Sequence, residues 1–139
     1  MKYNLKSLQD TEKFAQIIIE KLKKENKTCV CLKGDLGSGK TTLTQFIAKR
    51  LGVKENVISP TFVLLKEYKT NDDKFKVLAH ADFYRLSSKE DIKAFSIDEY
   101  IKKNVLLIVE WPEKIDFTHK NCIDIKLNLS DNKRYAELC

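Results

Sequence analysis

Gly34, Asp35, Leu36, Gly37, Ser38, Gly39, Lys40 and Thr41 spell G-x-x-x-x-G-K-[ST], the pattern of a phosphate-cradling P-loop. Three of the chain's 4 glycines lie in this stretch, and the fourth is Gly52. Glycine lets the backbone take positive φ and come close to a ligand. Successive N–H groups can then wrap a phosphate, and a following helix adds its positive end. Lys40 is expected to reach the β- and γ-phosphates, and the Thr41 hydroxyl to bind Mg²⁺. Thr42 is expected on the helix face near the α-phosphate. Such a site also needs an acid at the end of a neighbouring strand to hold the metal shell. Two qualify: Glu110 ends the apolar run Val105 to Val109, and Asp82 ends the run Val77, Leu78, Ala79, His80, Ala81. Both could point toward the γ-phosphate and Mg²⁺. His80 and His119 are weaker candidates, and a packed or hydrogen-bonded strand residue is the favoured reading of His80. Trp111 reads equally as core and as a cover over the nucleotide.

The flanking elements fit the loop. Thr28 to Leu32 is a short apolar, β-rich run that reads as a buried parallel strand. Leu43, Phe46, Ile47 and Leu51 recur at helical spacing, and Gly52 is a natural stop. Upstream, Ser7 or Asp10 caps a first helix whose apolar stripe is Phe14, Ile17, Ile18 and Leu22. Its basic end, Lys23 to Lys27, suits a helix C-terminus. Downstream, Ser59-Pro60-Thr61 punctuates the chain. Thr61 to Lys69 and Phe75 to Phe83 then form a hairpin across Asn71-Asp72-Asp73. Ser87 or Ser88 caps a further helix, with Asp91 completing a partial capping box, and a short helix covers Ile97 to Lys103. Val105 to Glu110 is a central parallel strand, Ile123 to Leu129 alternates as a strand, and Tyr135 to Cys139 closes the sheet. The pattern predicts an α/β, P-loop NTPase-like three-layer fold. Its sheet is mixed and mostly parallel, with antiparallel hairpins and flanking helices, in one domain over residues 1–139.

Composition narrows the setting. A hydrophobic share of 42% and a charged share of 33% describe a globular chain, not a disordered one. No apolar run is long enough for a membrane span, and residues 1–10 have no signal-peptide core, so a cytoplasmic protein without a membrane partner is expected. The net charge of +6 suits an anionic partner such as nucleotide, RNA or an acidic surface. Solvated lysines explain the basic runs equally well, since no aromatics interleave them. The 4 cysteines include no C-x-x-C pair, so zinc is disfavoured and reduced thiols serving as small hydrophobes are expected.

Absences narrow the chemistry. No glycine follows Gly52, which excludes a D-x-x-G switch and an LSGGQ-type signature downstream, and no N-K-x-D motif reads guanine. A standard GTPase or transporter ATPase is therefore disfavoured. Only Arg50, Arg85 and Arg134 are available, too few and too scattered for the lid of a small-molecule kinase. Three classes stay open on the residues alone: an ATP hydrolase, a small-molecule or nucleoside P-loop kinase, and a nucleotide-gated protein- or RNA-binding switch.

Four motifs in order carry a family resemblance over nearly the whole chain. They are Gly34 to Thr42, Ser59-Pro60-Thr61-Phe62, His80-Ala81-Asp82-Phe83-Tyr84-Arg85-Leu86, and Val109-Glu110-Trp111-Pro112-Glu113. Together they resemble the TsaE (YjeE) family of small bacterial P-loop ATPases, needed for threonylcarbamoyladenosine in tRNA. The resemblance implies ATP and Mg²⁺ as cofactors, and TsaB and TsaD as protein partners, with tRNA contacted at most indirectly. It implies nucleotide contacts from Thr11, Gly37, Ser38, Gly39, Lys40, Thr41, Thr42, Trp111 and Arg134. By matching position Thr41 and Glu110 become Mg²⁺ ligands, and Asp82 joins the metal or water network. Lys40, Asp82 and Glu110 form the expected catalytic set, and Ser59 to Phe62 a switch-like loop. The chain departs from the family pattern at Ala81, where bulk is common, and at Ser96, near which glycine is usual.

Overall fold

The runs Cys29 to Leu32 and Val105 to Val109 offer no polar side to water, so each needs both faces covered. The structure, a computed structural model describing residues 1–60, 62–87, 91 and 96–138, sets them side by side at the middle of one sheet. Its strands are β1 (Lys2–Asn4), β2 (Cys29–Lys33), β3 (Leu65–Lys69), β4 (Val77–Asp82), β5 (Val105–Glu110), β6 (Cys122–Ser130) and β7 (Lys133–Leu138). Their spatial order is β1-β7-β6-β2-β5-β4-β3. The central pairings β6–β2, β2–β5 and β5–β4 are parallel, and the pairings toward both edges are antiparallel.

Among the described residues two long helices, α1 (Leu8–Glu25) and α2 (Lys40–Arg50), join the strands. Ser7 and Asp10 start α1 together: the Ser7 hydroxyl accepts the Asp10 N–H, and the Asp10 carboxylate accepts the Ser7 N–H, each at 3.2 Å. Helix α1 ends at Asn26, which takes the left-handed conformation, and α2 ends two residues before Gly52. Both helices cover one face of the sheet. Phe14, Ile18, Leu22, Leu43 and Ile47 pack there with Val30, Leu32, Leu106, Ile108 and Ile125. The pleat sends Cys29, Cys31, Ala79, Ala81, Leu107 and Val109 to the other face. That face is covered by Phe83, Leu86, Ile97 and Ile115, two of which belong to the 3₁₀ turns Ile97–Tyr100 and Pro112–Ile115.

Several expectations are revised. Strand β1 has only three residues, too few for a hydrophobic period to mark it in the sequence. The strand expected from Thr61 starts only at Leu65, after Leu64 takes positive φ. The helix expected over Ile97 to Lys103 is one 3₁₀ turn. Asp91 accepts from the Ser87 N–H at 2.8 Å and hydroxyl at 3.0 Å; Ser88, Thr61 and Cys139 lie outside the described residues. The largest correction concerns the thiols. Cys29 and Cys122 form a disulfide, because the parallel β2–β6 register sets them opposite each other, with Cα atoms 4.1 Å apart. Cys31 stays free. Burial, with Asp124 nearby, pushes its thiol up to about 12, so it behaves as the expected small hydrophobe.

One turn ties the two layers together. Asp72 accepts from the backbone N–H groups of Lys74 at 3.0 Å and Phe75 at 2.9 Å, and from the Lys23 ammonium at the end of α1 at 2.8 Å. Burial pushes its carboxyl up, but the Lys23 bond and the two N–H donors together outweigh that and hold it below the usual carboxylate range. Asp72→Asn is expected to destabilise the protein by about 1–2 kcal/mol, measured by urea unfolding at pH 7. A carboxyl depressed by folding stabilises above its unfolded pKa and ceases to do so as pH falls through its folded value. The wild-type advantage over Asp72→Asn should therefore shrink below about pH 4.

Candidate functional site

The glycine loop runs from the end of β2 to the start of α2. At Gly34 (φ +150°) a Cβ would lie 2.6 Å from both the Leu127 carbonyl oxygen and the Ser38 hydroxyl, so the loop turns there only without a side chain. Gly39 occupies the N-cap of α2 with φ +103° and no side-chain cap. A Ser, Thr or Asp at that position would occupy the first free N–H groups of the helix. Glycine leaves them to an outside acceptor, and the helix dipole favours an anion there. No acidic residue lies in the first turn of α2 to compete.

Lys40 is 5% exposed. Its ammonium donates to the Gly34 carbonyl and, at 3.1 Å, to the Asp35 carbonyl, and it stands 4.1 Å from the centre of the Trp111 ring. Burial lowers its pKa, opposed by the carboxylates of Glu110, Glu113, Asp82 and Asp35. Trp111 reaches this place because it leaves β5 in the left-handed conformation, φ 60°, which a bulky residue rarely adopts. Tyr84 packs on its ring at a centroid distance of 4.9 Å.

The two strand-end acids arrive together because β4 and β5 are parallel and in register, with Asp82 opposite Glu110. The Thr41 hydroxyl donates to the Glu110 carboxylate at 3.2 and 3.3 Å. Asp82 accepts from the Ser59 hydroxyl at 2.8 Å and from the Tyr84 N–H at 2.9 Å. A hydroxyl and two carboxylates are the hard oxygen donors that suit a small divalent cation.

A cavity of about 420 Å³ is lined by Gly37, Gly39, Lys40, Thr41, Thr42, Asp82, Glu110, Trp111 and Arg134, among others. Arg134 donates to the Gly37 carbonyl at 3.3 Å and also borders a second cavity of about 600 Å³, shared with Asn4, Leu5 and Lys6. Two residues singled out from sequence do not line the cavity beside the glycine loop. Ser38 turns its buried hydroxyl toward Gly34, without a hydrogen-bond partner among the described residues. Thr11 is buried one turn into α1, where its hydroxyl donates to the Ser7 carbonyl at 3.4 Å. Sequence reading gave no weight to Tyr84 or to the bond from Ser59 to Asp82. His80 is a buried, hydrogen-bonded strand residue as expected, and its partner, not legible in the sequence, is Glu110, with Nε2 2.5 Å from Oε2; the spacing His80-x-Asp82, placing both on one strand face, was the available signal.

Comparison with known proteins gives a consistent result. The family model for threonylcarbamoyl adenosine biosynthesis protein TsaE matches residues 5–136. The tRNA threonylcarbamoyladenosine biosynthesis protein TsaE of Rickettsia prowazekii is 38% identical over 134 residues, covering 95% of this chain and 89% of that one. The protein of the same name from Haemophilus influenzae is 40% identical over 103 residues, covering 74% of this chain and 63% of that one. The crystal structure of Bacillus subtilis YdiB superposes with a TM-score of 0.72 at 26% identity, covering 99% of this chain and 83% of that one.

Proposed function

The chain belongs to the TsaE family, and from that premise we propose that it is a Mg²⁺-dependent ATP hydrolase supporting threonylcarbamoyl transfer to adenosine in tRNA, as partner of a TsaB–TsaD pair. One observation carries the hydrolase reading. The P-loop lysine, an uncapped helix start, a hydroxyl and two strand-end carboxylates all border one cavity.

In this reading the loop amides from Gly37 to Thr41 and the Lys40 ammonium receive the ATP phosphates, and the Thr42 side chain lies near the α-phosphate. These donors are fixed before the reaction, so they stabilise developing charge without reorganising. Thr41 and Glu110 would hold Mg²⁺, which when bound would offset charge on the β- and γ-phosphate oxygens. Asp82, fixed by Ser59 and Tyr84, orients the attacking water. Trp111 lies beside the nucleotide. The cavity beyond Arg134 gives room for ribose and base, and Thr11 sits one turn from Ser7, next to the Lys6 that lines it.

Hydrolysis by the isolated chain should be slow. Arg134 is the one arginine lining the cavity beside the glycine loop among the described residues, and it is bonded to the Gly37 carbonyl. Arg85 lies over the Phe62 ring at 4.2 Å. Neither is poised as an arginine finger. Beside Ser59 the loop leaves Ile58, Phe62 and Val63 exposed, an apolar edge of the kind a partner protein covers. tRNA would then be met through the partners, in the cytoplasm.

The test is phosphate release from Mg·ATP with and without TsaB–TsaD, together with capture of partners from a bacterial lysate with and without ATP. The expected result is slow release alone, stimulation by the pair, and recovery of both proteins. Transfer of the γ-phosphate to an added acceptor would instead favour the kinase reading. Nucleotide-dependent assembly without hydrolysis would favour the switch.

A further inference from the structure

His80 lies on β4, two residues before Asp82 and on the same strand face. Its ring is fully buried. Nε2 meets Glu110 Oε2 at 2.5 Å, while Nδ1 has no hydrogen-bond partner among the described residues. A carboxylate only accepts, so the nitrogen facing it carries the hydrogen. Packing does not explain the ring. An apolar side chain of similar volume would fill the same space without stranding Nδ1. What the imidazole provides here is one donor, aimed at one carboxylate oxygen.

That carboxylate has a second donor. The Thr41 hydroxyl approaches Glu110 from the start of α2, and His80 approaches from the neighbouring strand. A glutamate has three side-chain torsions, so a single contact leaves its head free to swing. Two donors from two rigid elements fix it.

We propose that His80 is a positioning residue that holds the Glu110 carboxylate in the orientation needed to complete a Mg²⁺ shell with Thr41. The inference rests on the reading that this site binds nucleotide with Mg²⁺. Partners that orient a ligating carboxylate typically change metal affinity by roughly 10- to 100-fold when removed. Removing the donor should therefore change the metal requirement and leave metal-independent nucleotide contacts alone.

Trp111, the chain's 1 tryptophan, borders the cavity and reports binding by its fluorescence. ADP is titrated in EDTA, then Mg²⁺ is titrated at saturating ADP, in the wild type, His80→Leu, His80→Gln and His80→Asn. Gln places an amide N–H near the position of Nε2, whereas the shorter Asn does not. The expected result is a Mg²⁺ half-saturation raised roughly 10-fold or more in His80→Leu and His80→Asn. His80→Gln should return close to wild type, and ADP affinity in EDTA should stay unchanged throughout. An unchanged Mg²⁺ requirement in a folded His80→Leu overturns the proposal. If that variant does not fold, equal Mg²⁺ requirements in the Gln and Asn variants overturn it. Absence of any Mg²⁺ response in the wild type overturns the underlying reading of the site, and the proposal with it.

Discussion

Lys40→Ala is expected to lower ATP turnover by roughly 100- to 1,000-fold, the scale seen when one fixed donor to a developing anion is removed. The reason lies in where the ammonium sits. It is nearly enclosed, faces the Trp111 ring, and is bonded to two loop carbonyls. Those carbonyls are neutral acceptors and only partly compensate the lost hydration, which is why burial leads the lowering of its pKa. A phosphate oxygen is a stronger partner for the same charge, so the lysine is poised to exchange one for the other. Phosphate release with TsaB–TsaD present measures the loss. Wild-type turnover in the variant would remove Lys40 from the site.

The same residue gives a pH signature. A lysine depressed by folding penalises the native state fully at pH values below its folded pKa, where both states carry the charge. The penalty fades as pH rises from the folded value toward 10.5. The empty wild type should therefore gain stability relative to Lys40→Met on the alkaline side. Saturating ATP should flatten that difference, because a phosphate next to the ammonium favours its charged form. Thermal melts from pH 8 to pH 10.5, with and without ATP, read both effects.

Glu110→Gln is the second large effect, with turnover expected to fall at least about 100-fold while ATP affinity in EDTA is retained. The substitution keeps size and some hydrogen bonding but removes the negative charge. Glu110 touches the Thr41 hydroxyl, whereas Asp82 is held by Ser59 and the Tyr84 amide. Glu110→Gln should therefore weaken the Mg²⁺ response more than Asp82→Asn does, and Asp82→Asn should act mainly on turnover. Glu110→Ala is a poorer probe, since it strands the buried His80 donor at a cost of about 1–3 kcal/mol. Equal turnover in wild type and Glu110→Gln would sink the assignment of this carboxylate.

What could be read in advance follows from locality. The glycine loop is eight consecutive residues, so its sequence and its shape are nearly the same statement. Its helix and preceding strand were legible from period and from the stop at Gly52. Asp82 and Glu110 were legible as strand-end acids because each apolar run stops at its carboxylate. By contrast, the bond from Ser59 to Asp82 crosses 23 positions and that from His80 to Glu110 crosses 30. Only the β4–β5 register brings the second pair together. Ser38 lies in the motif, yet its buried hydroxyl turns toward Gly34 and does not line the cavity.

The sequence by itself determined the glycine-loop pattern, the parallel centre of the sheet and the two acids at strand ends, since each depends on contiguous residues and short-range sterics. The tertiary structure alone decided which groups face one another. It joined Cys29 to Cys122 across 93 positions, laid Trp111 over Lys40, and gave the Glu110 carboxylate its two donors. Those pairings are fixed by strand register and by packing between layers. Such geometry sums many weak contacts from distant parts of the chain, and no local stretch of residues encodes it.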